Sequence, residues 1–205
     1  IEASDLIIRY IRVRPNASGD ALTGGSGCSN VILDHISCSW SSDEVLSVYG
    51  GDNTTFQYCL ISEPCGNGHN FGGIWGNDNS TYHHNLFAHN ASRTPRWTSN
   101  GSGRNDHRNN VIYNWERNNC YGAAGEDFIN MVANYYKPGP ATKSGVADQI
   151  ADPNSGKWYV AENYVVDSPE VTNDNWLGVT GGTKLVEPWP AMAINQQTPE
   201  DAYNA

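Results

Sequence analysis

The feature that most constrains this chain is a repeat. Seven strand-like runs recur along it: LIIRYIRVR (6–14), NVILDHISCSW (30–40), NTTFQYCLIS (53–62), STYHHNLFAHN (80–90), NDHRNNVIYNW (105–115), DFINMVANYY (127–136) and KWYVAENYVV (157–166). Each run places one residue just before its closing apolar pair. These anchors are Ile11, Ile36, Cys59, Asn85, Asn110, Asn134 and Asn163, at intervals of 25, 23, 26, 25, 24 and 29 residues. A period of this length, with a strand in each unit and no helix between units, points to an all-β parallel β-helix of about seven coils. Leucine-rich repeats share the period, but their Leu scaffold is missing. Ankyrin and tetratricopeptide units are helical, and this chain is not.

Stacked coils lie about 4.8 Å apart. Asn85, Asn110, Asn134 and Asn163 share one offset, so they are expected to form an internal ladder, each side-chain amide bonding to the next coil. Residues 1–166 read as the coils. The tail, 167–205, carries Pro169, Pro188 and Pro190 and few alternating runs, and reads as a covering segment of the same domain. Thr198 followed by Pro-Glu-Asp is a helix start.

Composition removes several classes. Charged residues make up 17% of the 205, against roughly 25% in an average soluble protein. Aromatic content of 11% argues against disorder. No run approaches the ~18 apolar residues of a membrane span, and no basic stripe suggests nucleic acid. The expected state is a monomer. Net charge is −10 and lies mostly in residues 121–205, which carry 4 basic and 11 acidic groups.

The five cysteines, Cys28, Cys38, Cys59, Cys65 and Cys120, lack paired C-x-x-C spacing. They read either as small buried residues or as one or two disulfides of a secreted protein. Sequons at Asn16, Asn53, Asn79, Asn90 and Asn100 favour a secreted glycoprotein slightly, because so Asn-rich a chain yields several by chance.

Counting from the anchors brings polar residues together. Asp20, Asp43 and Glu44, His69 and Arg93 all fall seven to ten residues past their anchors, and so along one edge of the solenoid. Asp20 and Asp43 are one coil apart, on the order of 5 Å. That suits a hard cation such as calcium, which takes about 6–8 oxygens in irregular geometry. Arg93 lies two coils further, roughly 10 Å away, with room for a charged sugar ring between. Arg93, Arg96, Arg104 and Arg108 face only Asp106 nearby, so the stretch is locally +3 and suits an acidic ligand. Trp40, Trp75, Trp97 and Trp115 read as core or as sugar-stacking residues. Asp34 and His35 read as a buried bonded pair, and His83 and His84 as strand residues.

These segments resemble the extracellular pectate lyases of polysaccharide lyase family one. NVILDHISCSW (30–40) looks like the family's Asp-His strand, and SGDAL (18–22) and SSDEVLSV (41–48) its calcium segments. TYHHNLFAHNASRTPRW (81–97) resembles the catalytic-arginine segment, with an Arg-x-Pro core at Arg93–Pro95. The resemblance covers about residues 5–180 and implies a right-handed β-helix. It implies calcium held by Asp20 and Asp43 with Glu44 beside them, and Arg93 as the base. It implies β-elimination on polygalacturonate outside the cell. Family positions for further calcium ligands fall at the neutral Ser18 and Ser47. A second substrate arginine falls at Thr98, where Arg96 would substitute. The family's lysine falls within 69–73, where His69 is the cationic candidate. Trp97 would stack on sugar faces. The family also begins with earlier coils and a helical cap, so a chain opening in a strand reads as a fragment or processed form without its N-terminal cap.

Other functions stand beside this one. A non-catalytic carbohydrate-binding or structural β-helix is the principal alternative. A pectin lyase would need no calcium, and Asp20 and Asp43 argue against it. A polygalacturonase-type hydrolase needs a third acid–base carboxylate.

Overall fold

The computed structural model describes residues 1–16, 18–98 and 102–205. Each strand-like run divides in two at a single corner residue. Tyr10, His35, Tyr58, His84, Asn109, Ala133 and Glu162 all adopt the left-handed region, with φ between 52° and 61°. Each directly precedes its anchor. A left-handed residue reverses the pleat and turns the chain sharply, so one apparent strand becomes two.

The strand after the corner builds a seven-stranded parallel sheet: Arg12–Val13, Ser37–Ser39, Leu60–Ser62, Leu86–Ala88, Val111–Tyr113, Tyr135–Lys137 and Tyr164–Val165. Its partners run Arg12 to Ser37, Leu60, Leu86, Val111, Tyr135 and Tyr164. Every one is the residue after an anchor, so the sheet register reproduces the repeat. The strand before the corner and a third strand in each coil share a 13-stranded sheet. They join through Leu46–Gln57, one strand of 12 residues that belongs to both sets. Most of the third strands carry only two or three residues, so they do not show in the sequence as runs. The result is a β-solenoid of about seven turns.

The asparagine ladder is present. Asn134 Oδ1 accepts from the backbone N–H and the side-chain amide of Asn110, at 2.9 and 3.1 Å. Asn110 does the same for Asn85, and Asn163 for Asn134. It extends beyond the expected four: the Cys59 N–H donates to Asn85, and Asn163 donates to Asn175. All these asparagines are buried, so the ladder satisfies backbone donors that the corners would strand.

The core is aromatic. Trp75, Trp97, Trp115, Phe56, Tyr82 and Phe87 are buried; of the four tryptophans left open by the sequence, only Trp40 is exposed, at 53%. Trp97 is therefore not a sugar-stacking residue. It alternates inward on its strand, and its indole N–H donates to Cys120 Sγ at 2.9 Å.

No cysteine is in a disulfide; four are buried and Cys65 is exposed. Burial pushes the Cys38 and Cys59 thiols up to about 12 and about 11. One sequon fails as an acceptor: Asn90 is buried and its amide donates to Ile61 O at 3.0 Å. Asn100 lies outside the described residues. Asp34 is buried and bonded to His35 Nδ1 at 2.6 Å. His83 and His84 lie at a strand end and corner, their Nδ1 atoms 2.8 Å apart.

Beyond residue 167 the chain forms a short helix, Pro169–Asn173, and a strand, Thr183–Lys184, paired to Lys157–Trp158. Trp189 is buried against Asn105 and Asn130. The helix Pro199–Asn204 starts where expected, with the Thr198 hydroxyl accepting from Asp201 N–H at 3.1 Å. Among the described residues no helix is long and apolar enough to cross a membrane.

Candidate active site

The third strand of each coil positions the site. Asp20 precedes Leu22–Gly24, Glu44 precedes Leu46–Gln57, Phe71 precedes Ile74–Asp78, and Arg93 precedes Arg96–Trp97. Parallel bridges from Glu44 to Phe71 and from Phe71 to Ser92 lock the approach segments in register. Short coil-to-coil bonds complete the alignment: Asp43 N–H to Gly19 O, and Ala21 N–H to Glu44 O.

Two glycines make the close approach possible. A Cβ on Gly72 would lie 2.3 Å from Arg93 O, and one on Gly73 would lie 1.9 Å from Leu46 O. The coils therefore meet at this edge only because no side chain intervenes.

The acidic group closes around a histidine. Asp43, Glu44 and His69 each present a ligand atom within 4.8 Å of the others. His69 Nε2 is 2.8 Å from Asp43 Oδ1 and 3.3 Å from Glu44 Oε1. Asp20 stands one coil behind, where its Oδ1 accepts from the Glu44 backbone N–H at 3.2 Å. Burial pushes the Asp20 carboxyl above the usual range. The Ser47 hydroxyl opposes that rise, the Asp43 charge adds to it, and His69 and Arg93 offset part of it. Ser47, a neutral residue at a family ligand position, thus acts on Asp20, and its hydroxyl also accepts from Ile74 N–H at 3.1 Å.

Arg93 is gripped from three directions. Its Nη1 pairs with Glu44 Oε1, and the two side chains are only 14% and 5% exposed. Its Nε donates to Tyr121 Oη at 3.1 Å. Its guanidinium carbon lies 4.4 Å from the Phe71 ring centroid, a favourable cation–π approach. Arg93 is also left-handed, with φ 62°, outside the repeated corner series. Arg96 lies nearby, 5.9 Å from the Tyr121 ring, with no carboxylate within ion-pair distance among the described residues.

The basic edge is composed differently from the sequence expectation. Arg104 pairs with Asp78 at 2.8 Å, and Arg108 pairs with the buried Asp106 at 2.8 Å and reaches Gln196 in the tail. Both sit on Arg104–Arg108, a strand before the corner, and not on the site's strand set. Arg117 joins instead: its guanidinium carbon is 5.3 Å from the Phe71 ring. Phe71, Tyr121 and Arg117 were not selected from the sequence. A signal for Arg117 was present, since it lies seven past Asn110, as Asp43 lies seven past Ile36. Phe71 and Tyr121 carry no distinguishing pattern.

A carboxylate cluster and a held arginine on one solenoid edge can bind a cation and an acidic sugar together. Known proteins are similar along nearly the whole of this chain. A probable pectate lyase C from Aspergillus terreus is 36% identical over 220 residues, covering 98% of this chain. The chain is a relative of the pectate lyases. Probable pectate lyase C sequences from Aspergillus flavus and Emericella nidulans match at 34% and 35% identity, each again over 98% of the chain. No family model matches. The chain spans about half the length of these pectate lyase relatives, 49–50% of each.

Proposed function

We propose that this chain carries the active site of a calcium-dependent pectate lyase, which cleaves polygalacturonate by β-elimination outside the cell and acts as a monomer. The observation that supports it most is Arg93 seated on Glu44 beside Asp43, Asp20 and His69. The donor set fits calcium: three carboxylates on adjacent coils supply hard oxygens. Asp20, Asp43 and Glu44 would hold the ion. Bound there, it would neutralise a uronate carboxylate and ease charge build-up at the adjacent carbon.

The chain's own residues do the rest. Arg93 takes the proton from C5 of the galacturonate unit. The C5–H electrons form the C4–C5 double bond, the C4–O bond breaks, and the departing oxygen acquires a proton from solvent. Glu44 and Tyr121 fix the guanidinium, so little orientation is lost on reaching the transition state. Arginine is protonated at ordinary pH, so the basic form is scarce and the rate climbs with pH. Arg96 and His69 bind uronate carboxylates on either side.

Ultraviolet absorbance of the unsaturated product on polygalacturonate tests the proposal. Absorbance that grows only with added calcium supports it. Binding without product supports the non-catalytic module, and product formation without calcium on methyl-esterified substrate supports a pectin lyase.

A further inference from the structure

We propose that Arg117 is a further uronate-binding residue, taking a carboxylate of the sugar next to the one at Arg93. The inference rests on the pectate reading above and deepens it. Arg117 begins one coil beyond Arg93, yet its side chain reaches back across the coil boundary. Its Nη2 donates to Gly68 O at 3.2 Å, and its guanidinium carbon lies 5.3 Å from Phe71. The Arg93 guanidinium lies 4.4 Å from the same ring. One phenyl ring therefore seats two guanidinium groups within about 10 Å of each other, a span that two linked sugars cover.

The charge on Arg117 is only loosely engaged, by one long ion pair. Its nearest carboxylate, Glu116, is 3.8 Å away and lies closer to Lys143, at 3.2 Å. The Arg117 side chain is 43% exposed. In front of it opens a cleft of about 410 Å³ lined by Phe71, Ser92, Arg117, Asn118, Gln149 and Asp152. The one acidic group there, Asp152, accepts from Thr180 Oγ1. The cleft thus offers a planar cation, an aromatic face and amide groups. That set recognises a polyuronate by charge as well as shape.

Affinity for trigalacturonate, measured calorimetrically with calcium present, tests this against the neutral trimethyl ester of the same sugar. Arg117→Ala is expected to weaken trigalacturonate binding about tenfold, the worth of one charge-assisted bond. It should leave ester binding as in the wild type. Arg117→Lys should recover part of the loss, and in turnover Arg117→Ala should raise KM more than it lowers kcat. Equal trigalacturonate affinity in Arg117→Ala and wild type overturns the inference, as does an equal loss for acid and ester, which would mark packing and not charge. If the wild type neither binds nor cleaves polygalacturonate, the pectate reading itself fails, and this inference with it.

Discussion

Arg93 and Glu44 form a nearly buried ion pair that bridges two coils of the solenoid. Neither residue has a local reason to sit where it does. The repeat brings Glu44 under Phe71 and Phe71 under Ser92, and the pair follows from that stacking. Removing one partner leaves the other charge in a dry setting, which costs about 3 kcal/mol or more. Glu44→Gln should therefore lower the urea midpoint and cut lyase activity by at least about tenfold. Unchanged stability and activity together would remove Glu44 from the account.

Tyr121 donates no charge, but it fixes the direction of Arg93 through a 3.1 Å bond to Nε. Tyr121→Phe keeps the ring beside Arg96 and deletes only the acceptor. The expected result is a kcat reduced about tenfold with KM little altered, because the loss is one of orientation. Steady-state kinetics on polygalacturonate separates this from a binding defect.

The asparagine ladder makes a stability prediction. Asn134 Oδ1 serves two donors of Asn110, while its own amide reaches His107 O and Asn163. Asn134→Ala leaves several buried polar groups unpaired, at about 1–3 kcal/mol each. A loss of about 3 kcal/mol or more in chemical denaturation is expected. Asn→Asp at the same site should be worse, since a buried carboxylate adds repulsion against the acceptors it faces.

Two buried histidines set the acid limit. Burial holds His107 down to about 3, where it lies among Trp75, Phe87 and Trp97. Burial, with His84 alongside, holds His83 down to about 4. Both are neutral in the fold, whereas the unfolded chain protonates them near pH 6.5. Stability from these groups is complete above about pH 6.5 and declines as pH falls toward their folded values. Between about pH 6.5 and 5 each accounts for about 2 kcal/mol. Denaturation midpoints measured across that range should fall, and His107→Gln should flatten the slope whatever it does to stability at pH 7.

The fold was largely legible because its register is written in anchors. Ile36, Cys59 and Asn85 differ in chemistry but share an offset, and a solenoid needs only the offset. What stayed hidden was the splitting of each run at a left-handed corner. Residues as different as Tyr58, Ala133 and Glu162 occupy that corner, so composition gives no sign of it. Inward and outward aromatics were indistinguishable for the same reason. Trp97 and Trp40 look alike in sequence, but Trp97 alternates inward on its strand, whereas Trp40 lies past a strand end in a left-handed turn and is exposed. At the site, Asp20, Asp43, Glu44, His69 and Arg93 emerged by counting along the chain. Arg104 and Arg108 misled because closeness in sequence ignores which strand set a residue occupies. Phe71 and Tyr121 matter through their position beneath other side chains, and no spacing rule reports that.

Everything proposed for the site turns on Arg93 acting as the base with calcium held beside it. The most direct measurement is the initial rate of unsaturated-product formation on polygalacturonate, for wild type and Arg93→Lys, with calcium and with chelator. The wild-type rate should rise with alkaline pH and vanish with chelator, and the Arg93→Lys rate should be lower by about a thousandfold or more. An Arg93→Lys variant that keeps most of the activity, or a wild-type rate that chelator leaves unchanged, would contradict that assignment.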